Sequence, residues 1–195
     1  MFKYIGFGLP DDAFIRGPVP MTKREIRILA LAALKLQPGQ IIWDVGAGTG
    51  SLSVEAALSV PAGQVFAVER NGAAVALLQQ NKEHFALENM VIVPGEAPEV
   101  LAGLPDPQRI IIGGSGGKLA EILHCCQERL TAGGIIVINV VTIENLSLAL
   151  KFLNHRPFVE REGLYMQTAR LEQLGSQDFF RAQNGVWILS ARKEG

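Results

Sequence analysis

Cysteine is nearly absent: two of 195 residues, and these are neighbours, Cys125 and Cys126. Adjacent thiols cannot staple distant segments, and with no other cysteine a zinc site is implausible, so no metal is expected. Two ordinary buried thiols on a helix fit a reducing compartment, the cytoplasm. Net charge is equally scarce, since 18 Lys and Arg stand against 19 Asp and Glu for a total of −1. A chain without a surplus of cations has no reason to bind nucleic acid. No apolar run is long enough for a membrane span, and the most apolar window, 135–143, is interrupted by Asn139 and Thr142. The opening Met1-Phe2-Lys3-Tyr4 carries no apolar stretch of signal-peptide length. The three histidines, His84, His124 and His155, stand apart on expected helices and read as surface or core residues.

What the chain does have is 48% hydrophobic residues, enough for a substantial core. Its length suits one α/β domain covering residues 1–195. Residues 1–21 hold Gly6, Gly8, Pro10, Gly17, Pro18 and Pro20 and read as an irregular arm. Thr22-Lys23-Arg24-Glu25 opens a helix reaching about Leu36, where Pro38-Gly39 stops it. Thr22 and Glu25 are spaced as a capping box. The arm and helix occupy 1–38, and a Rossmann-like core occupies 39–195. Strand patterns fall at 40–45, 64–69, 89–94, 109–113 and 134–141, and helix patterns at 50–59, 72–86, 117–130 and 143–154. These short strands are rich in Ile and Val, as strands buried on both faces are. Two later strands, 158–171 and 186–191, follow without a clear helix between them and predict an antiparallel pair finishing the sheet. The expected fold is a doubly wound, mostly parallel seven-stranded sheet with an antiparallel C-terminal strand.

The densest signal is Asp44-Val45-Gly46-Ala47-Gly48-Thr49-Gly50, set between an apolar strand and a helix. A dinucleotide site prefers G-x-G-x-x-G; here the third glycine comes one residue early, which counts against NAD and favours S-adenosylmethionine. Glycines there let backbone N–H groups face a ligand closely. Asp44 is placed to orient the loop or to meet the ligand's ammonium group through water, and Thr49 to cap the next helix. Glu69 ends the second strand at the offset of a ribose-binding acid. Gly95-Glu96-Ala97-Pro98 follows the third strand, where Glu96 or the Ala97 backbone would meet the adenine amino group; a helix start at Pro98 is the competing reading. Gly113-Gly114-Ser115-Gly116-Gly117 ends the fourth strand near the topological switch, either a plain flexible turn or the place where a bulky ligand, contacting Ser115, approaches the backbone. Arg16, Lys23, Arg24 and Arg27 form a basic group that is either a solvated helix face or a receiver of substrate carboxylates. The Asn/Asp-Pro-Pro-Tyr/Phe signal of amino-group methylation is missing, as is any Ser/His or Cys/His arrangement for covalent catalysis.

Taken together, the arm from Gly8 to Phe14, the segment from Pro20 to Arg27, the glycine turn, Gly95-Glu96-Ala97-Pro98 and the Gly-Gly-Ser-Gly-Gly element resemble the decarboxylating precorrin or cobalt-precorrin carbon-15 methyltransferases of cobalamin biosynthesis. The likeness runs from about residue 6 to 190. The glycine turn is common to all class I methyltransferases, while the arm and the Gly-Gly-Ser-Gly-Gly element are narrower signals. Glu stands at 69 and 96 where some members have Asp. The resemblance implies methylation of carbon 15 with S-adenosylmethionine and decarboxylation of the ring C acetate. It implies that Thr22, Gly46, Ala47, Gly48, Thr49, Gly50, Glu69 and Ala97 bind the cofactor, joined by Glu96 from the reading above. Arg16 is the first candidate for gripping carboxylates of the polycarboxylate substrate. A homo-oligomer, a tetramer, is implied as well, with the polar late strands supplying contacts. The rival expectations are another class I methyltransferase acting on RNA or protein, and a non-catalytic S-adenosylmethionine-binding module.

Overall fold

The alternation of apolar strands and helices builds the expected sheet. The computed structural model describes residues 7–195; Gly6 and the Met1-Phe2-Lys3-Tyr4 opening lie outside the described residues. Strands β1 (Ile41–Val45), β2 (Gln64–Glu69), β3 (Met90–Pro94), β4 (Arg109–Ile112) and β5 (Ile135–Val140) are parallel. β6 (Phe158–Met166) and β9 (Val186–Lys193) complete the sheet in the order β3-β2-β1-β4-β5-β9-β6, with β9 antiparallel to both neighbours. Helices α1 (Arg24–Leu34), α2 (Ser51–Ser59) and α3 (Gly72–His84) contribute Leu31, Leu34, Val54 and Leu78 to one core, against Ile42, Ile111 and Val137. Helices α4 (Leu119–Arg129) and α5 (Ile143–Leu153) contribute Leu123 and Leu153 to the other, against Trp43, Ile110, Ile112 and Ile138. Successive strand residues thus serve opposite faces, and both faces are dry, so these strands need no polar side.

The end of the chain departs from expectation. Residues 158–171 are not one strand: β6 ends at Met166, and β7 (Ala169–Leu174) leaves the sheet to pair with β8 (Gln177–Ala182) as a separate two-stranded ribbon. The alternating polar pattern of the segment fits a ribbon with exposed faces, and only the β6–β9 pair finishes the main sheet.

The arm is held by a buried ion network rather than by the expected capping box. Lys23, not Thr22, stands at the N-terminus of α1, and no side chain of the box caps it. Asp11 does so from the arm, its Oδ1 accepting from the Arg24 N–H at 3.0 Å. Glu25 instead meets Arg170 of β7 at 2.9 Å. Arg27 does not belong to an exposed basic group: it is fully buried, donating to Asp11 and Glu55 at 2.7 Å each and to the carbonyls of Thr22 and Leu9. Glu55 also accepts from the Gly8 N–H at 2.6 Å. A buried guanidinium survives only with such complete pairing, which a sequence does not display. At its other end α1 stops at Lys35, in the left-handed conformation, and Arg109 donates to the carbonyls of Leu34 and Lys35.

Candidate active site

At the carboxyl end of β1 the chain turns through Gly46, Gly48 and Gly50, all with positive φ. A Cβ on Gly46 would lie 2.4 Å from the Gly114 carbonyl oxygen, so this position admits glycine alone. The N–H groups of Gly46 and Ala47 donate to Val68 O at 2.9 and 3.0 Å, lashing the turn to β2. Glu69, at the end of β2, accepts from the Gly48 N–H at 2.9 Å through one carboxylate oxygen and from the Asn71 N–H at 2.8 Å through the other. Each oxygen retains a lone pair for a further donor. Gly50 serves packing, since a Cβ there would meet Leu78 at 2.5 Å. It is also the N-cap residue of α2; Thr49 is not, and its hydroxyl is buried without a hydrogen-bond partner.

Asp44 lies beneath this turn, buried, with Ser53 donating to Oδ2 at 2.5 Å and Oδ1 unpartnered. Burial, aided by the nearby negative charge of Glu69 and opposed by the Ser53 hydrogen bond, pushes its carboxyl up to about 6. A cationic ligand group nearby would draw it back toward the ionised form.

Two recesses open on the turn. The smaller, about 140 Å³, is lined by Val68, Glu69, Arg70, Glu96, Ala97 and Gly116 among others. Its roof is Arg70: a Cβ on Gly116 would lie 2.6 Å from the guanidinium carbon, so the side chain lies on bare backbone. Arg70 donates to Glu96 at 2.6 Å, and Lys118 lies 3.1 Å from the same carboxylate. The hydrogen bonds from Lys118 and Arg70 hold Glu96 below the usual carboxylate range. The larger recess, about 590 Å³, lies between residues 20–23 of the arm, the turn, the loop after β4, the end of β5 and the base of the β7–β8 ribbon. Gly46, Gly114, Ser115 and Gly116 line both recesses.

The structure therefore gathers Thr22, Gly46, Ala47, Gly48, Thr49 and Ser115 around the larger recess, and Glu69, Glu96 and Ala97 around the smaller. Arg16 is exposed and lines neither; Lys23 is the cation in the larger wall. None of the three histidines lines either recess, and burial pushes the Cys125 and Cys126 thiols up, away from reactivity. Of the basic group read as a possible receiver of carboxylates, Lys23 is the member that lines the recess, while Arg70 and Asn139 were passed over. Arg70 carried a signal, being the residue directly after the acid of β2.

The sheet order, the glycine turn after β1 and the acid closing β2 define the class I methyltransferase fold. Within that class the chain belongs to the precorrin methyltransferase domain family, whose model matches residues 12–193. It is 41% identical over 187 residues to the cobalt-precorrin-6B C(15)-methyltransferase (decarboxylating) of Salmonella typhimurium, covering 95% of this chain and 96% of that one. The precorrin-6y C5,15-methyltransferase structure from Geobacter metallireducens superposes with a TM-score of 0.90 at 38% identity, over 97% of this chain and 100% of that one. The structure described as precorrin 8W decarboxylase from Methanobacterium thermoautotrophicum gives 0.87 at 31% identity, over 94% and 98%.

Proposed function

We propose that this protein methylates carbon 15 of a cobalt-precorrin or precorrin and decarboxylates its ring C acetate, with S-adenosylmethionine as methyl donor, in cobalamin biosynthesis. One observation carries the reading: two recesses share the wall of Gly46, Gly114, Ser115 and Gly116, so a donor in the smaller presents its methyl group to a large acceptor in the other.

The residues present fit the donor. Bare glycine backbone flanks the recess, and Glu69 has lone pairs for ribose hydroxyls. When bound, S-adenosylmethionine supplies an electrophilic methyl group, which an electron-rich macrocycle attacks without a covalent nucleophile from the protein. The glycine turn and Glu69 then hold the adenosine end, with Thr22, Ala47 and Thr49 along the larger wall and Ala97 beside the nucleobase. Glu96 acts by fixing Arg70 over the smaller recess, because two cations already occupy its carboxylate. Lys23 is better placed than Arg16 to meet a substrate carboxylate. Alignment of reactants in such a cleft supplies up to roughly 7–11 kcal/mol of barrier lowering.

Acting as one domain, the chain self-associates through the β7–β8 ribbon, where Leu171, Leu174 and Phe180 are exposed. A homotetramer is the expected assembly. The unpaired thiols Cys125 and Cys126 support a cytoplasmic location. Among the described residues no helix is long and apolar enough to cross a membrane.

The test is incubation with labelled S-adenosylmethionine and the cobalt-precorrin-6B or precorrin-6y substrate, read by mass spectrometry. Gain of one methyl with loss of one carbon dioxide is expected; an unchanged tetrapyrrole overturns the reading.

A further inference from the structure

Among the described residues, Asn139 alone has both polar side-chain atoms sealed from solvent without a hydrogen-bond partner. It stands next to last in β5, at the carboxyl end of the sheet, and forms part of the wall of the larger recess. Ile135 and Val137, two and four residues earlier, pack into the core beneath α1 and α2. Strand alternation puts Asn139 on the same face, one step past that core. A valine there would be buried at no desolvation cost, whereas an unpaired amide is expensive and uncommon. No hydrogen bond restrains the amide, so rotating it into the recess breaks none.

The wall says what partner such an amide meets. Among the described residues no Asp or Glu lines the larger recess, Lys23 is the single cation, and four carboxamides contribute: Asn139, Asn145, Gln183 and Asn184. An acid-free wall suits an anion, and a neutral donor binds an anion without neutralising it. That distinction matters when a carboxylate must depart. A cation pressed against it would stabilise the ground state, while a neutral amide orients it without neutralising it, in a recess also lined by Ile138, Val140 and Val186.

Resting on the functional reading above, we propose that the Asn139 side-chain amide holds the substrate carboxylate that leaves as carbon dioxide. The bond between that carboxylate and the adjacent carbon breaks, and its electron pair enters the conjugated ring. The ring has just gained one positive charge by accepting the methyl group, so the charges balance without oxidant or reductant. A proton shift within the macrocycle then converts the exocyclic alkene to a methyl group with no net change in protons.

Asn139→Leu and Asn139→Ala are the test, assayed with S-adenosylmethionine and the cobalt-precorrin-6B or precorrin-6y substrate, alongside S-adenosylhomocysteine calorimetry and thermal unfolding. Without the amide to orient it the carboxylate is misaligned with the ring, which slows decarboxylation relative to methyl transfer by roughly 10- to 100-fold. A methylated, still carboxylated product therefore accumulates while S-adenosylhomocysteine affinity is unchanged, and N139L melts no lower than the unmutated protein. Two results overturn the assignment: both steps running at the unmutated ratio, or both falling together with cofactor affinity. If the unmutated protein itself yields no methylated product, the functional reading fails and this inference with it.

Discussion

Glu69 accepts a hydrogen bond from the Gly48 N–H at 2.9 Å, so the acid closing β2 also sets the shape of the turn leaving β1. The same carboxylate is the proposed ribose anchor, which couples turn geometry to ligand grip. Glu69→Gln keeps the volume but loses the charge and one acceptor oxygen. Hydrogen bonds to an ionised group are the strong ones, so S-adenosylhomocysteine should bind about 10- to 100-fold more weakly by calorimetry. Unaltered affinity would remove Glu69 from the site.

Arg27 has three partners from the arm and one from α2, and nothing on the surface replaces it. Arg27→Met leaves the buried Glu55 carboxylate with the Gly8 N–H but no cation, while Asp11 keeps Arg170 and the Arg24 N–H. Removing one member of a buried ion group costs about 3–5 kcal/mol, because the remaining charge goes uncompensated. Chemical denaturation should show a loss of that size. The arm also carries residues 20–23 of the larger recess, so protease cleavage near Arg16 should become faster as well.

The fold and the core of this site were legible for a shared reason: they are written in local pattern. Ile-Val runs mark strands buried on both faces, and glycines at alternate positions mark a turn where backbone replaces side chain. The errors fall where long-range partners decide. Thr22 and Glu25 match a capping box in spacing, but Asp11, thirteen residues before Arg24, takes the helix N-terminus and Arg170 takes Glu25. Arg27 looked like one cation among several because its burial depends on Glu55 from another helix. Position placed Glu96 and Ala97 at the smaller recess, but not the ion pairs of Glu96 with Arg70 and Lys118, which come from two other loops. Asn139 stayed hidden because a polar residue within an apolar strand gains meaning only when its partners prove absent.

Asp44 makes stability depend on pH in an unusual direction. Its carboxyl is raised from 3.8 to about 6 by burial, so between those values the folded protein binds more protons than the unfolded chain. Stability is therefore fullest below the unfolded value and is lost as pH rises through about 6. The shift corresponds to about 3 kcal/mol. Asp44→Asn, which does not ionise, should gain on the unmutated protein by an amount of that order between about pH 4 and about pH 7. Urea midpoints for the two proteins across this range check it; a pH-independent difference would show that Asp44 titrates normally.

The β7–β8 ribbon offers the plainest test of assembly. Leu171 and Phe180 face each other across its ladder, 62% and 71% exposed, and Leu174 follows at 74%. A two-stranded ribbon on its own is marginally stable in water, and this one is tied to the arm and to α1 through the ion pairs of Arg170 with Asp11 and with Glu25. Apolar side chains this open, on an element with so little support, are what an interface between copies would cover. The double variant Leu171→Glu, Phe180→Glu places like charges opposite each other across each ribbon and at every copy's contact. Sedimentation should show the assembly dissociating to single chains, while S-adenosylhomocysteine affinity per chain stays within a few-fold, because the recess walls use Thr168, Gln183 and Asn184 at the ribbon's base and neither mutated residue. An unmutated protein that sediments as a monomer would leave these side chains without the partner argued for them.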